Sequence, residues 1–130
     1  IMAQLPQYMG PVFEEICKQW LWRQNRRGVL PVLFTALGRW WGSDPRTKSE
    51  AEIDIVATGD GDHMLFCECT WTHEPVGGNV LATLTARSEL IRSGKRSYIL
   101  FARSGFTGGC RKAAEEMGTV RLVDFAAMLE

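Results

Sequence analysis

The run Glu52–Trp71, EIDIVATGDGDHMLFCECTW, decides the fold. Val, Ile and aromatic residues dominate both halves, and Gly59-Asp60-Gly61-Asp62 between them is turn chemistry, so the run predicts a β-hairpin. Each arm carries an acid in apolar company, Asp54 in the first and Glu68 in the second. Side chains alternate across a strand, so Asp54 leaves the face opposite Ile53, Ile55 and Ala57, and Glu68 the face opposite Leu65, Cys67 and Cys69. If the arms pair with both acids on a shared face, two negative charges meet in a partly dry place. Their repulsion at ~4 Å and an effective dielectric of ~20 is ~4 kcal/mol. A divalent cation, a nearby Lys or Arg, or a proton taken up by one acid relieves it. Mg²⁺ is commonly held by one or two carboxylates plus water and phosphate oxygens, so the cation is the option with chemistry attached. If the acids instead point apart, they line a solvated sheet edge.

At 130 residues the chain is expected to be a single domain with one substantial core. Fifteen basic residues balance fifteen acidic ones, so no bulk attraction to nucleic acid is implied, and such binding would need a local patch. The four cysteines, Cys17, Cys67, Cys69 and Cys110, contain no C-x-x-C pair. Cys67 and Cys69 read as small apolar core residues, which argues against zinc and for a reducing, cytoplasmic location. No apolar run approaches the ~20 residues of a membrane span, and no signal peptide is visible. The chain begins with Ile1, which suggests a piece of a longer polypeptide.

Outward from the hairpin, a helix is expected over about Met9–Gln24. Met9, Val12, Phe13, Ile16, Trp20 and Leu21 form its apolar series, Pro11 suits a first turn, and Glu14 and Glu15 complement the positive helix start. Arg23, Arg26 and Arg27 precede Gly28, either compensating the helix dipole or forming a phosphate-contacting patch. Val32–Trp41 reads as a strand with a bulge at Gly38, ended by Gly42-Ser43-Asp44-Pro45. One of Trp40 and Trp41 is expected in the core and the other at the surface. Beyond the loop His73–Gly78, Asn79 is a plausible cap for a helix to about Ser93, with Val80, Leu81, Leu84, Leu90 and Ile91 buried. His63 and His73 lack partners at metal-ligand spacing and read as surface residues. Ser97–Ala102 is a strand buried on both faces. A helix over about Thr107–Met117 closes at Gly118, Val120–Val123 is a last strand, and Asp124 caps a short helix to Leu129. A meander followed by βα units implies an α/β fold with a mixed sheet and helices on both faces.

An acidic first helix, an acid on each hairpin arm and the fourteen-position step from Asp54 to Glu68 resemble the PD-(D/E)XK, restriction-endonuclease-like superfamily. More specific wording lies in Tyr8-Met9-Gly10-Pro11-Val12-Phe13-Glu14-Glu15, Gly38-Arg39-Trp40-Trp41-Gly42, Glu52–Ala57, Glu68-Cys69-x-Trp71 and Tyr98–Thr107. Together these blocks resemble a domain of unknown function found at the C-terminus of archaeal and bacterial AAA+ ATPases. The resemblance implies a nuclease-like domain whose partner is an N-terminal ATPase domain of the same polypeptide, with DNA a further candidate partner. No G-x-x-x-x-G-K-[ST] is present, so this piece is not expected to bind a nucleotide. By the same resemblance Asp54 and Glu68 are the ligands of Mg²⁺ or Mn²⁺, and Glu14, with Glu15 as fallback, is the outer acid that orients the attacking water. Where related sequences place Lys, this chain has Thr70, which can donate one hydrogen bond but no charge. Arg39, Lys48 and Arg87 are candidates to replace that charge. Three functions are compatible with this pattern: a degenerate, weakly cleaving nuclease-like binder, an active metal-dependent nuclease, and a protein-interaction or regulatory module.

Overall fold

In a computed structural model, residues 5–130 are described. Ile1, on which the expectation of a longer polypeptide rests, lies outside them. The order is α1 (Leu5–Arg27), β1 (Ala36–Asp44), β2 (Ser49–Thr58), β3 (His63–Thr70), α2 (Gly78–Ser88), β4 (Lys95–Ala102), α3 (Gly108–Met117), β5 (Val120–Asp124) and α4 (Phe125–Met128). The strands form one sheet in sequence order, β1-β2-β3-β4-β5. The first two pairings are antiparallel and the last two parallel. The expected meander, βα units and mixed sheet are all present.

The sheet divides two cores. Phe13, Cys17, Trp20 and Leu21 of α1 and Met128 of α4 pack with Ile55, Ala57, Leu65, Cys67, Ile99 and Phe101 on one face. Leu81 and Leu84 of α2 and Cys110 and Ala114 of α3 pack with Ile53, Phe66, Tyr98 and Leu100 on the other. Helices therefore cover both faces, and β4 is buried from Ser97 to Ala102 as its near-continuous apolar run requires.

Several boundaries differ from expectation for identifiable reasons. Helix α1 begins earlier, so Pro11 lies inside it, and Val12 is exposed. Gly28 ends the helix in a left-handed conformation (φ 68°), with the Val29 amide donating to the Gln24 carbonyl. The first strand starts four residues late because the Asn25 side chain holds both the amide and the carbonyl of Phe34. Gly42 does not break that strand. A Cβ there would come within 2.4 Å of the Trp40 ring, so the glycine lets Trp40 lie across its neighbour two residues on. The turn falls instead at residues 45–48, where Asp44 accepts the Arg46 amide and Lys48 takes φ 55°. Trp40 packs on the second core and Trp41 is 63% exposed, as alternation requires.

Helix α2 is capped by Gly77, with Asn79 already inside it, and stops at Ser88 instead of about Ser93. Arg96 explains the stop, donating to the carbonyls of Ser88 and Ile91 and so satisfying a terminus that would otherwise need another turn. His63 is half-buried and hydrogen-bonded to Ser97 (2.8 Å), so it is less of a surface residue than expected, while His73 is exposed. Thr107 caps α3 by accepting the Cys110 amide. Thr107→Ala is expected to cost about 1 kcal/mol, measurable as a shift in the denaturation midpoint at unchanged m-value.

Candidate active site at a fork in the sheet

The sheet opens where the two acids lie. Strands β2 and β3 pair only through Ile55–Cys67, Val56–Phe66 and Ala57–Leu65, and separate beyond Ile55. At the same level the register between β1 and β2 shifts between Gly38 and Trp40. Gly38 pairs with Val56 and Trp40 with Ile53, so Asp54 and Ile55 together oppose the single residue Arg39. The irregularity falls where Gly38 predicted it, but the extra residue belongs to β2. It also corrects the simple alternation: Ile53 enters one core while Ile55 and Ala57 enter the other.

In the fork the carboxylates converge. The Asp54 amide donates to Glu68 Oε1 (3.2 Å), and the Cys69 amide donates to Asp54 Oδ2 (2.9 Å). Backbone amides that would otherwise continue the ladder are thus held by the two acidic side chains. Burial, and after it the negative charge of Asp54, pushes the Glu68 carboxyl up to about 8, with Arg87 pulling weakly the other way. No cation forms an ion pair with Glu68 among the described residues.

Helix α1 delivers Glu14 to the same place, while Glu15, one residue on, is exposed and takes a hydrogen bond from Gln19. Arg39 of β1 joins the acids, forming a salt bridge with Glu14 and reaching Asp54 Oδ1 (3.3 Å) and Glu52 Oε2 (3.5 Å). Burial works against the Arg39 charge, but Glu14, Asp54 and Glu52 outweigh it and hold the guanidinium above its ordinary range. Glu52, not singled out from the sequence, also accepts the Trp41 indole N–H (2.7 Å). Of the three cations considered as substitutes for the motif Lys, Arg39 touches the acids and Arg87 reaches the Glu52 carbonyl (2.8 Å). Lys48 lies at the far hairpin turn. Thr70, two residues beyond Glu68, ends β3 and lines an open cleft of about 370 Å³ with Thr72, His73, Glu74 and the start of α2.

Among the described residues no three His, Cys, Asp or Glu side chains are grouped to hold a metal ion unaided. The donor chemistry nevertheless fits a hard divalent cation that keeps several of its own waters. Two carboxylates converge, and one of them lacks a positive partner and is driven toward protonation. No described helix is long and apolar enough to cross a membrane.

Residues 1–87 match DUF234, archaeal and bacterial proteins of unknown function. Over 72 residues, 55% of this chain, the sequence is 39% identical to an uncharacterized protein, MJECL04, of Methanocaldococcus jannaschii, and that stretch spans 15% of the relative's length. Among solved structures, the protein of unknown function AF1548 superposes with a TM-score of 0.55 at 20% identity, covering 85% of this chain and 58% of that one. The DNA modification-dependent restriction endonuclease AspBHI superposes with a TM-score of 0.44 at 14% identity, over 92% of this chain and 34% of its own, a likeness too loose to carry an argument.

Proposed function

The chain belongs to the DUF234 family, and from that premise and the geometry of the fork we propose that it is a nuclease-like, nucleic-acid-associated domain with a weak metal-dependent phosphodiesterase site. The observation that carries this reading is the convergence of Asp54 and Glu68, from the two strands that part at the fork, with each acid holding a backbone amide beside the other. Asp54 and Glu68 are the residues to hold Mg²⁺ or Mn²⁺. Such an ion, when bound, lowers the pKa of a water and screens the charge of a phosphodiester. Glu14, across Arg39 from the pair, is the outer acid to orient the attacking water, and Cys69 fixes Asp54 through its amide.

Thr70 is why cleavage is proposed to be slow. Removing one well-placed electrostatic donor costs ~10²- to 10³-fold in other enzymes, and a hydroxyl cannot replace an ammonium. As the resemblance implies, the domain works beside an ATPase domain of the same polypeptide, with DNA as a candidate partner. Its free thiols suit the reducing cytoplasm.

The test is an Mn²⁺ titration of the protein by calorimetry, then cleavage assays on single-stranded, double-stranded and branched DNA. Asp54→Ala is expected to weaken Mn²⁺ at least ~tenfold and remove any cleavage, because it deletes the carboxylate nearest Glu68. Cleavage that survives Asp54→Ala comes from a contaminant. Mn²⁺ bound without cleavage leaves a nucleic-acid-binding module, and failure to bind either ion or DNA leaves an interaction domain.

A further inference from the structure

An arginine set among acids occupies the electrostatic place of any other cation. Arg39 stands where two residues of β2 oppose one of β1, and its guanidinium meets Glu14 on α1 and both Glu52 and Asp54 on β2. Glu14 and Asp54 expose only 15% and 18% of their side chains, so water screens these charges incompletely. Both oxygens of Asp54 are engaged, Oδ1 by Arg39 and Oδ2 by the Cys69 amide. The amide belongs to a strand paired along its whole length with β4 and has no means of withdrawing. The Arg39 side chain, 28% exposed on a flexible stem, does.

Resting on the divalent-ion reading above, we propose that Arg39 is a built-in competitor for that ion, occupying Asp54 and Glu14 at rest and having to swing off Asp54 before the ion is bound. The released guanidinium remains tethered beside the acids. Its planar fork of donors suits a phosphodiester, at a site where Thr70 supplies no charge. The contact is thus autoinhibitory in the empty protein and leaves a phosphate-directed cation once the ion has entered.

The experiment is calorimetric titration with Mn²⁺ of the wild-type protein, Arg39→Gln and Arg39→Lys at one pH. Neutralising a neighbour within ion-pair reach shifts a carboxylate equilibrium by a factor of ten or more, so Arg39→Gln should bind Mn²⁺ at least about tenfold tighter. Arg39→Lys should fall between, because a compact, strongly hydrated ammonium lacks the planar fork with which the guanidinium spans Glu14, Glu52 and Asp54. Damage to the fold weakens binding, so a gain in affinity is not what a purely structural arginine would give. Bound Mn²⁺ should also raise the Tm of Arg39→Gln by more than that of the wild type. Equal or weaker binding by Arg39→Gln overturns the competitor and leaves the ion site standing, whereas no binding by any of the three proteins removes both. If Arg39→Gln does not fold, Arg39→Lys decides: tighter than wild type upholds the competition, equal or weaker overturns it.

Discussion

Thr70→Lys is expected to raise Mn²⁺-dependent phosphodiester cleavage by about 10²- to 10³-fold, the converse of losing one preorganised charged donor. Thr70 is two residues beyond Glu68 on β3 and so shares its face. It is half-buried, pairs with Ala102 of β4 and borders the open cleft, which gives a longer side chain room to extend. An ammonium on that face stands close enough to the acids to offset charge growing on a bound phosphate. The comparison is initial rates on the same DNA substrates for the wild type, Thr70→Lys and Thr70→Lys with Asp54→Ala. A rate that does not move would mean that a second catalytic part is missing, or that Arg39 already supplies the charge.

The other large effect is on pH. Burial, followed by the charge of Asp54, holds the Glu68 carboxyl at about 8, against an ordinary value of 4.5. Between those values the folded protein carries a proton that the unfolded chain has released. The folded state is therefore favoured most below about 4.5 and progressively less as pH rises through the window, flattening above 8. The loss is on the order of 3 kcal/mol, allowing for water reaching a partly exposed group. Thermal unfolding in EDTA at several pH values should show the decline in the wild type and lose most of it in Glu68→Gln. An ion that takes Glu68 must expel the same proton, so Mn²⁺ affinity should climb tenfold per pH unit up to about 8. That amounts to roughly 10³-fold between pH 5 and 8. An affinity flat with pH would mean that Glu68 is not a ligand.

Much of this architecture was readable from strand alternation and turn chemistry. Both hairpin arms, the doubly buried β4, the closure of α3 at Gly118 and the capping role of Asp124 follow from local residues. Errors arose where a distant side chain took over a backbone group. Asn25 keeps Phe34 out of the sheet, and Arg96 terminates α2 from the next strand, neither visible in a local window. Gly42-Ser43-Asp44 has turn composition yet stays extended, because Gly42 lies beneath the Trp40 ring. The acids themselves stood out as charges in apolar strands. Choosing Arg39 over Lys48 and Arg87 as the cation among them required the register shift, and only the folded pairing of β1 with β2 supplies that.

The parallel partnership of β3 and β4, from His63–Lys95 to Thr70–Ala102, gives the fork a dependence on chain that lies far beyond it. The DUF234 match stops at residue 87, before β4 begins. A protein trimmed to those residues would leave β3, with its apolar Leu65 and Phe66, as a raw border of unmated peptide groups. Such a border invites other chains to stack against it, so the trimmed piece would be prone to aggregate before its acids could be tested.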